Sequence, residues 1–189
     1  MVNDEGPTVA YAEHAWYQHL REQWKPKRVR LLLVAESAPD PGAAATERRF
    51  FYAPTVSRAD NLFRGVVLAL YGQKVSTGDD RTDLLTRLQD DGVWLIDLAP
   101  YPVNHFGGRA RRSALRDSVP ARLDEILDIA PGGIVICHTP SYRALAPALI
   151  AAGAPLLHDQ PIPFPLGNFR NQFAEAVRDA VRPLGFSAP

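Results

Sequence analysis

Residues 30–42 read RLLLVAESAPDPG. The apolar residues Leu31 to Ala35 run without interruption into Glu36, and Ser37 and a Pro39-Asp40-Pro41-Gly42 turn follow at once. A run this short, without alternation and closed by turn residues, reads as a strand buried on both faces, the pattern of parallel sheets. A carboxylate at the end of such a strand is costly unless it is solvated or paired. Glu36 is therefore the first candidate for chemistry.

The same signature recurs at Val93 to Leu98 and Ile134 to Cys137, and more weakly at Ala154 to Leu157. Helical spacing separates these runs: Tyr11 to Trp24, Asn61 to Tyr71, Arg81 to Gln89, Ser118 to Ile129, Ser141 to Ala151 and Asn168 to Val181. Strands alternating with helices predict an α/β fold, a three-layer α/β/α arrangement around a central, mainly parallel four-stranded sheet. The Pro-rich stretch Gln160 to Gly167 reads as an ordered loop leading to the last helix.

The chain of 189 residues, 46% hydrophobic, suits one domain, residues 1–189, with one core. Its 21 basic and 21 acidic residues balance, so the overall charge gives no support to a nucleic-acid binder and leaves that role to a local patch. Cys137 is the single cysteine, which excludes an internal disulfide and a four-cysteine metal or iron–sulfur site. The start, MVNDEGPTVAYAEH, is polar and reads as no secretory leader, and no run of eighteen apolar residues occurs. A soluble, cytoplasmic, monomeric protein is expected.

Open parallel sheets bind ligands at the carboxyl ends of their strands. Glu36 and Ser37 follow the first run. Asp97 closes the second, ahead of a loop with Asn104 and His105. His138 follows the third, and His158 and Asp159 the fourth. Each has a plainer reading. Glu36 can pair with Arg48 or Arg49, Asp97 can cap its loop, His138 can bond to backbone, and at least one of Phe50 and Phe51 belongs in the core. Arg109, Arg111, Arg112 and Arg116 form a basic cluster that is either a solvated helix start or, with Arg143 and Arg170, a phosphate-binding patch.

The stretches AESAPDPG, RRFFY, WLIDLAPYPVN and HTPSYR, in this order from Leu31 to Arg143, resemble the motifs of the uracil-DNA glycosylase superfamily. The resemblance places Glu36 at the acidic position of the first motif and Phe50 or Phe51 at the base-stacking aromatic. Asp97 falls where many members carry Asn, and His138 opens the second motif, with Thr139 inserted before Pro140 and Ser141. Ala35 stands where Gly is usual, and the lone cysteine removes the iron–sulfur cluster of one branch, so an outlying, metal-free and cofactor-free branch is implied.

On that resemblance the protein hydrolyses the glycosidic bond of deoxyuridine in DNA. Glu36 serves the cationic sugar, either Glu36 or Asp97 acts on the water, and His138 donates to the leaving uracil, which makes these three the catalytic candidates. Ser37, the SAPDPG backbone, Phe50, Phe51, Asp97 and Asn104 hold the base, with Asp97 either accepting from N3–H or, protonated, donating to O4. Ser141, Tyr142 and Arg143 form the loop that enters the lesion, while Arg109, Arg111, Arg112 and Arg170 hold phosphates. The competing expectations are a binding module of the same fold without catalysis, and a hydrolase or transferase of free nucleosides.

Overall fold

The computed structural model describes residues 6–39 and 50–186, with side chains from Ala15 onward. Helix α1 (Gly6–Gln23) leads into strand β1 (Leu31–Ala35), and helices α2 (Asn61–Tyr71) and α3 (Thr82–Asp90) precede β2 (Val93–Asp97). Helices α4 (Gly108–Asp117) and α5 (Val119–Ile129) lead to β3 (Ile134–Ile136), and α6 (Thr139–Ala151) and α7 (Phe169–Val181) follow. The strands form one parallel sheet in the order β2-β1-β3, flanked by helices. Helix α2 packs on α7, and α6 packs on both α4 and α5. No helix among the described residues is long and apolar enough to cross a membrane.

The central strand is β1. All five of its residues are buried and Leu31 to Val34 have no exposed surface, as expected for a strand with neighbours on both sides. Pairing sets Ala35 beside Asp97 and Val34 beside Ile136. It continues past the strand ends: Leu98 N–H donates to Ala35 O at 3.0 Å, Ala99 N–H to Glu36 O at 2.9 Å, and Cys137 N–H to Val34 O at 2.8 Å. The segments that carry Glu36, Asp97 and His138 are thereby clamped in register at one edge.

The expected fourth strand is not formed: the sheet has three strands, and the 154–157 run is reduced to a single parallel bridge between Ile134 and Leu156. Ile134 N–H donates to Pro155 O and Leu157 N–H to Ile134 O, but the next donor of β3, Ile136 N–H, finds the His158 Nε2 atom at 2.9 Å. An imidazole thus takes the place of a strand carbonyl. The opposite edge is closed in the same way. The Tyr52 hydroxyl accepts from Leu95 N–H at 2.6 Å and donates to Leu95 O at 3.0 Å. Side chains thus answer Ile136 N–H at one edge and both backbone groups of Leu95 at the other, which blunts the templates that open edges present.

Helix α4 matches the solvated helix start that was one of the two readings of its arginine cluster, although no helical spacing marked its span. Its sequence, GRARRSALRD, buries only Ala114 and Leu115, too few apolar positions to register a period. The HTPSYR stretch, expected as a loop, is instead the start of α6, with His138 at its N-cap position. Gly65 explains how α2 and α7 approach so closely: a Cβ there would lie 2.8 Å from the Phe173 ring and 2.9 Å from Pro165.

His158 must be neutral to do its work. Its Nδ1–H donates to Gln160 O at 2.7 Å, which leaves Nε2 as the acceptor for Ile136. Burial, the largest influence, lowers its proton affinity below the ordinary histidine value of 6.5. A lowered folded-state value means that the unfolded chain binds the proton more readily. The stability from this arrangement is therefore full above about 6.5 and declines as pH falls through the folded-state value. His158→Phe, which keeps a ring against Tyr142 but leaves Ile136 N–H unpaired, should cost about 1–3 kcal/mol and flatten the acid limb of stability, read by urea unfolding at a series of pH values.

Candidate functional site

A cavity of about 750 Å³ opens at the carboxyl edge of the sheet. Its wall is built from the segment after β1, Phe50 and Phe51, the start of α2, Leu95 and Asp97 of β2, Asn104, Arg111 of α4, the start of α6, and the loop over residues 163–169. The structure thus brings Glu36, Ser37, Phe50, Phe51, Asp97, Asn104, Arg111 and His138 into one cavity. Tyr17 of α1 fixes the first segment by donating its hydroxyl proton to Pro39 O at 2.7 Å. Ser37 Oγ accepts from Val103 N–H at 3.3 Å, tying that segment to the loop after β2. Of the expected SAPDPG turn, the part from Asp40 onward lies outside the described residues, as do Arg48 and Arg49.

Glu36 has a partner that the sequence did not suggest. Arg111 grips it with two hydrogen bonds, Nε to Oε1 and Nη2 to Oε2. Arg111 was expected on a phosphate; here its guanidinium is spent on Glu36. His138 lies on the other side of the same carboxylate, with Nε2 3.9 Å from Glu36 Oε2. Its Nδ1 is 3.0 Å from Ser141 Oγ, so the ring is held from behind. Burial lowers the proton affinity of His138, Glu36 works against this and Arg111 adds to it. The imidazole is neutral near pH 7, poised beside a charged pair.

Asp97 is 3% exposed and bonds through Oδ2 to Arg21 Nη2 at 2.6 Å. Burial pushes its carboxyl up, while Arg21 and Arg122 oppose this. The direct Arg21 contact is what permits a charged group at that depth. The contact occupies Oδ2, so Asp97 can meet the cavity through Oδ1 either as an acceptor or, protonated there, as a donor. Phe50 and Phe51 are both core residues at 3% and 8% exposure. Phe50 meets Tyr17 and Tyr52 edge to face, and Phe51 meets Tyr52 and Phe63. They form the cavity's back wall and present little open ring face.

Ser141 corrects an expectation. It is fully buried and supports His138, so it cannot enter a duplex. Tyr142 packs against His158. Arg143 is exposed on α6, and Arg170 is exposed and donates to Asn61 Oδ1 at 3.2 Å. Arg109, Arg112 and Arg116 are exposed along α4, spaced so that they share a face.

Two further features had no local signal. Arg81, with no exposed surface, donates to the carbonyls of Phe50 at 3.0 Å and Phe51 at 2.8 Å, to that of Thr55, and to Asp60 Oδ2. It holds the aromatic wall by its backbone, across at least 21 residues of sequence in every contact. The other feature is the cavity rim. Phe164, Leu166 and Phe169 are 36%, 61% and 52% exposed, an apolar edge formed by the Pro-rich segment that the sequence reading left as a connecting loop and by the first residue of α7. No cluster of three His, Cys, Asp or Glu residues suited to a metal ion occurs among the described residues.

Comparisons with protein-family models, with curated proteins and with solved structures return no match to this chain.

Arg81→Ala should be the most damaging single change in this wall. It leaves Asp60 buried without its cation and frees three carbonyls, a loss of about 3–5 kcal/mol in denaturant unfolding. The pair Arg81→Met and Asp60→Asn together should recover part of that loss, because no unpaired charge then remains.

Proposed function

We propose that the protein hydrolyses the N-glycosidic bond of deoxyuridine in DNA, releasing uracil and leaving an abasic site. The observation that carries this reading is the pairing of Glu36 with His138, 3.9 Å apart, at the mouth of an aromatic-walled cavity on the carboxyl edge of a parallel sheet. The order of the motifs along the chain supports it. The donor to the leaving group and the stabiliser of the sugar must both face the breaking bond, and the ends of two neighbouring strands, β1 and β3, supply one each.

In the reaction the bond from C1′ to N1 breaks and its electron pair leaves with the uracil. Positive charge grows at the sugar and negative charge on the base, and water adds to C1′. Glu36 stabilises the sugar cation and takes the proton of the attacking water. His138, held by Ser141, donates a hydrogen bond to the uracil oxygen as charge gathers there. Asp97 accepts from a ring N–H, and the Phe50–Phe51 wall gives the base an apolar seat. A target base must leave the stack to reach this depth. The rim residues Phe164, Leu166 and Phe169 are placed to occupy the gap, as apolar wedges do in other nucleic-acid binders. The arginines of α4, with Arg143 and Arg170, supply the local basic surface that a neutral chain requires.

A second reading has one observation in its favour. With both Glu36 oxygens committed to Arg111, the site resembles one that binds a base without reacting. Uracil-containing oligonucleotide, incubated with the protein and then treated with alkali, separates the two: strand breaks at the uracil support the hydrolase, and binding without breaks supports the module. In the first case Glu36→Gln and His138→Ala should each lower the single-turnover rate by about a hundredfold or more, with DNA affinity retained.

A further inference from the structure

The clamp between Arg111 and Glu36 sits awkwardly with a reactive carboxylate. A guanidinium bonded to both oxygens takes one lone pair of each and competes with a water for the carboxylate. It also cancels the negative charge that a cationic sugar would use. Yet the clamp is not sealed. The Arg111 side chain is 37% exposed, against 14% for Glu36, and it projects from a helix whose other arginines, Arg109, Arg112 and Arg116, make no hydrogen bond or ion pair among the described residues. The other two carboxylates of the cavity are paired differently. Asp60 is held by Arg81 and Asp97 by Arg21, whose side chains are 0% and 13% exposed. Of the three pairs, only Arg111–Glu36 has a cation within reach of an incoming strand.

We infer that Arg111 is a positioning residue that works as a latch: a backbone phosphate draws it away from Glu36, and the carboxylate is freed only when nucleic acid is bound. This rests on the proposed action on DNA. The exchange is chemically even-handed, since carboxylate and phosphate both accept a guanidinium through two parallel hydrogen bonds. Binding to the neighbouring arginines would bring the phosphate within range. The same movement changes His138. The charged groups that face its ring are Glu36 and Arg111, and its other neighbours are the Ser141 hydroxyl and the Phe164 ring. Departure of Arg111 removes a cation and uncovers an anion, so the imidazole takes up a proton more readily. The latch therefore arms both groups at one step, and an empty site stays quiet.

The test follows His138 by NMR across a pH titration of the full chain, its resonance assigned by loss in His138→Ala. The arms are the wild-type protein, Arg111→Gln and Arg111→Lys, each alone and with a duplex carrying a non-hydrolysable deoxyuridine analogue. Arg111→Gln alone should raise the titration midpoint of His138, and Arg111→Lys, which keeps the charge, should stay near wild type. Duplex should raise the midpoint in the wild type and add little in Arg111→Gln. Because Arg111 ends on a phosphate, Arg111→Gln should also reduce the slope of log affinity against log salt by about one. Duplex that binds with the midpoint and the salt slope unmoved overturns the latch and leaves the action on DNA standing. No duplex binding by any of the three proteins overturns the action on DNA, and the latch with it.

Discussion

A sheet of three strands has two edges for one interior strand, and here a side chain answers backbone groups at each edge. Tyr52 answers both backbone groups of Leu95 on β2, and His158 answers Ile136 N–H on β3. Each closure reaches into the site. Tyr52 follows directly on Phe50 and Phe51, so the residue that seals one edge also fixes the aromatic wall. His158 opens the Pro-rich segment that becomes the apolar rim, so the residue that seals the other edge sets where that rim begins. The cavity is in this sense a by-product of how a narrow sheet satisfies its backbone.

The second theme is charge. Glu36, Asp60 and Asp97 line one cavity, and each is matched by its own arginine. Burial of an unmatched carboxylate would cost several kcal/mol, so the pairing is what makes so acidic a lining compatible with the fold. The three arginines come from different places: α1, the residue before α3, and α4. Two are structural, locked among carbonyls or aromatic rings. Arg81 lies 4.6 Å from the centroid of the Phe63 ring and Arg21 lies 5.7 Å from that of Phe50. The third, Arg111, is partly exposed on a helix whose other arginine side chains make no hydrogen bond or ion pair among the described residues. A neutral chain can in this way carry a basic face and an acidic pocket, with Arg111 belonging to both.

Much of the fold was legible because burial leaves a local record. The continuous apolar runs at β1, β2 and β3 could only be strands with two covered faces, and the amphipathic stretches marked α2, α3, α5, α6 and α7 to within two residues. The placement of Glu36 and His138 at strand ends followed from the same runs. Where the record was thin the reading failed for a physical reason. Helix α4 buries only Ala114 and Leu115, so it left no period. The 154–157 run has strand-like composition, but strand formation needs partners for successive donors, and the imidazole of His158, the residue that follows the run, took Ile136 N–H of β3.

The sequence by itself determined where the chain is buried and where polar groups emerge from burial, because those properties belong to consecutive residues. Only the tertiary structure decided which polar groups meet. Arg111 and Glu36 are 75 residues apart and Arg21 and Asp97 are 76 apart. No spacing within either segment encodes such a pairing: parallel register brings the ends of β1 and β2 to one edge, and the placement of helices α4 and α1 brings Arg111 and Arg21 to the carboxylates there. The fate of Ser141 was decided in the same way. Its neighbours in sequence suggested an exposed loop, but the start of α6 turns it inward, where its hydroxyl holds the His138 ring in place.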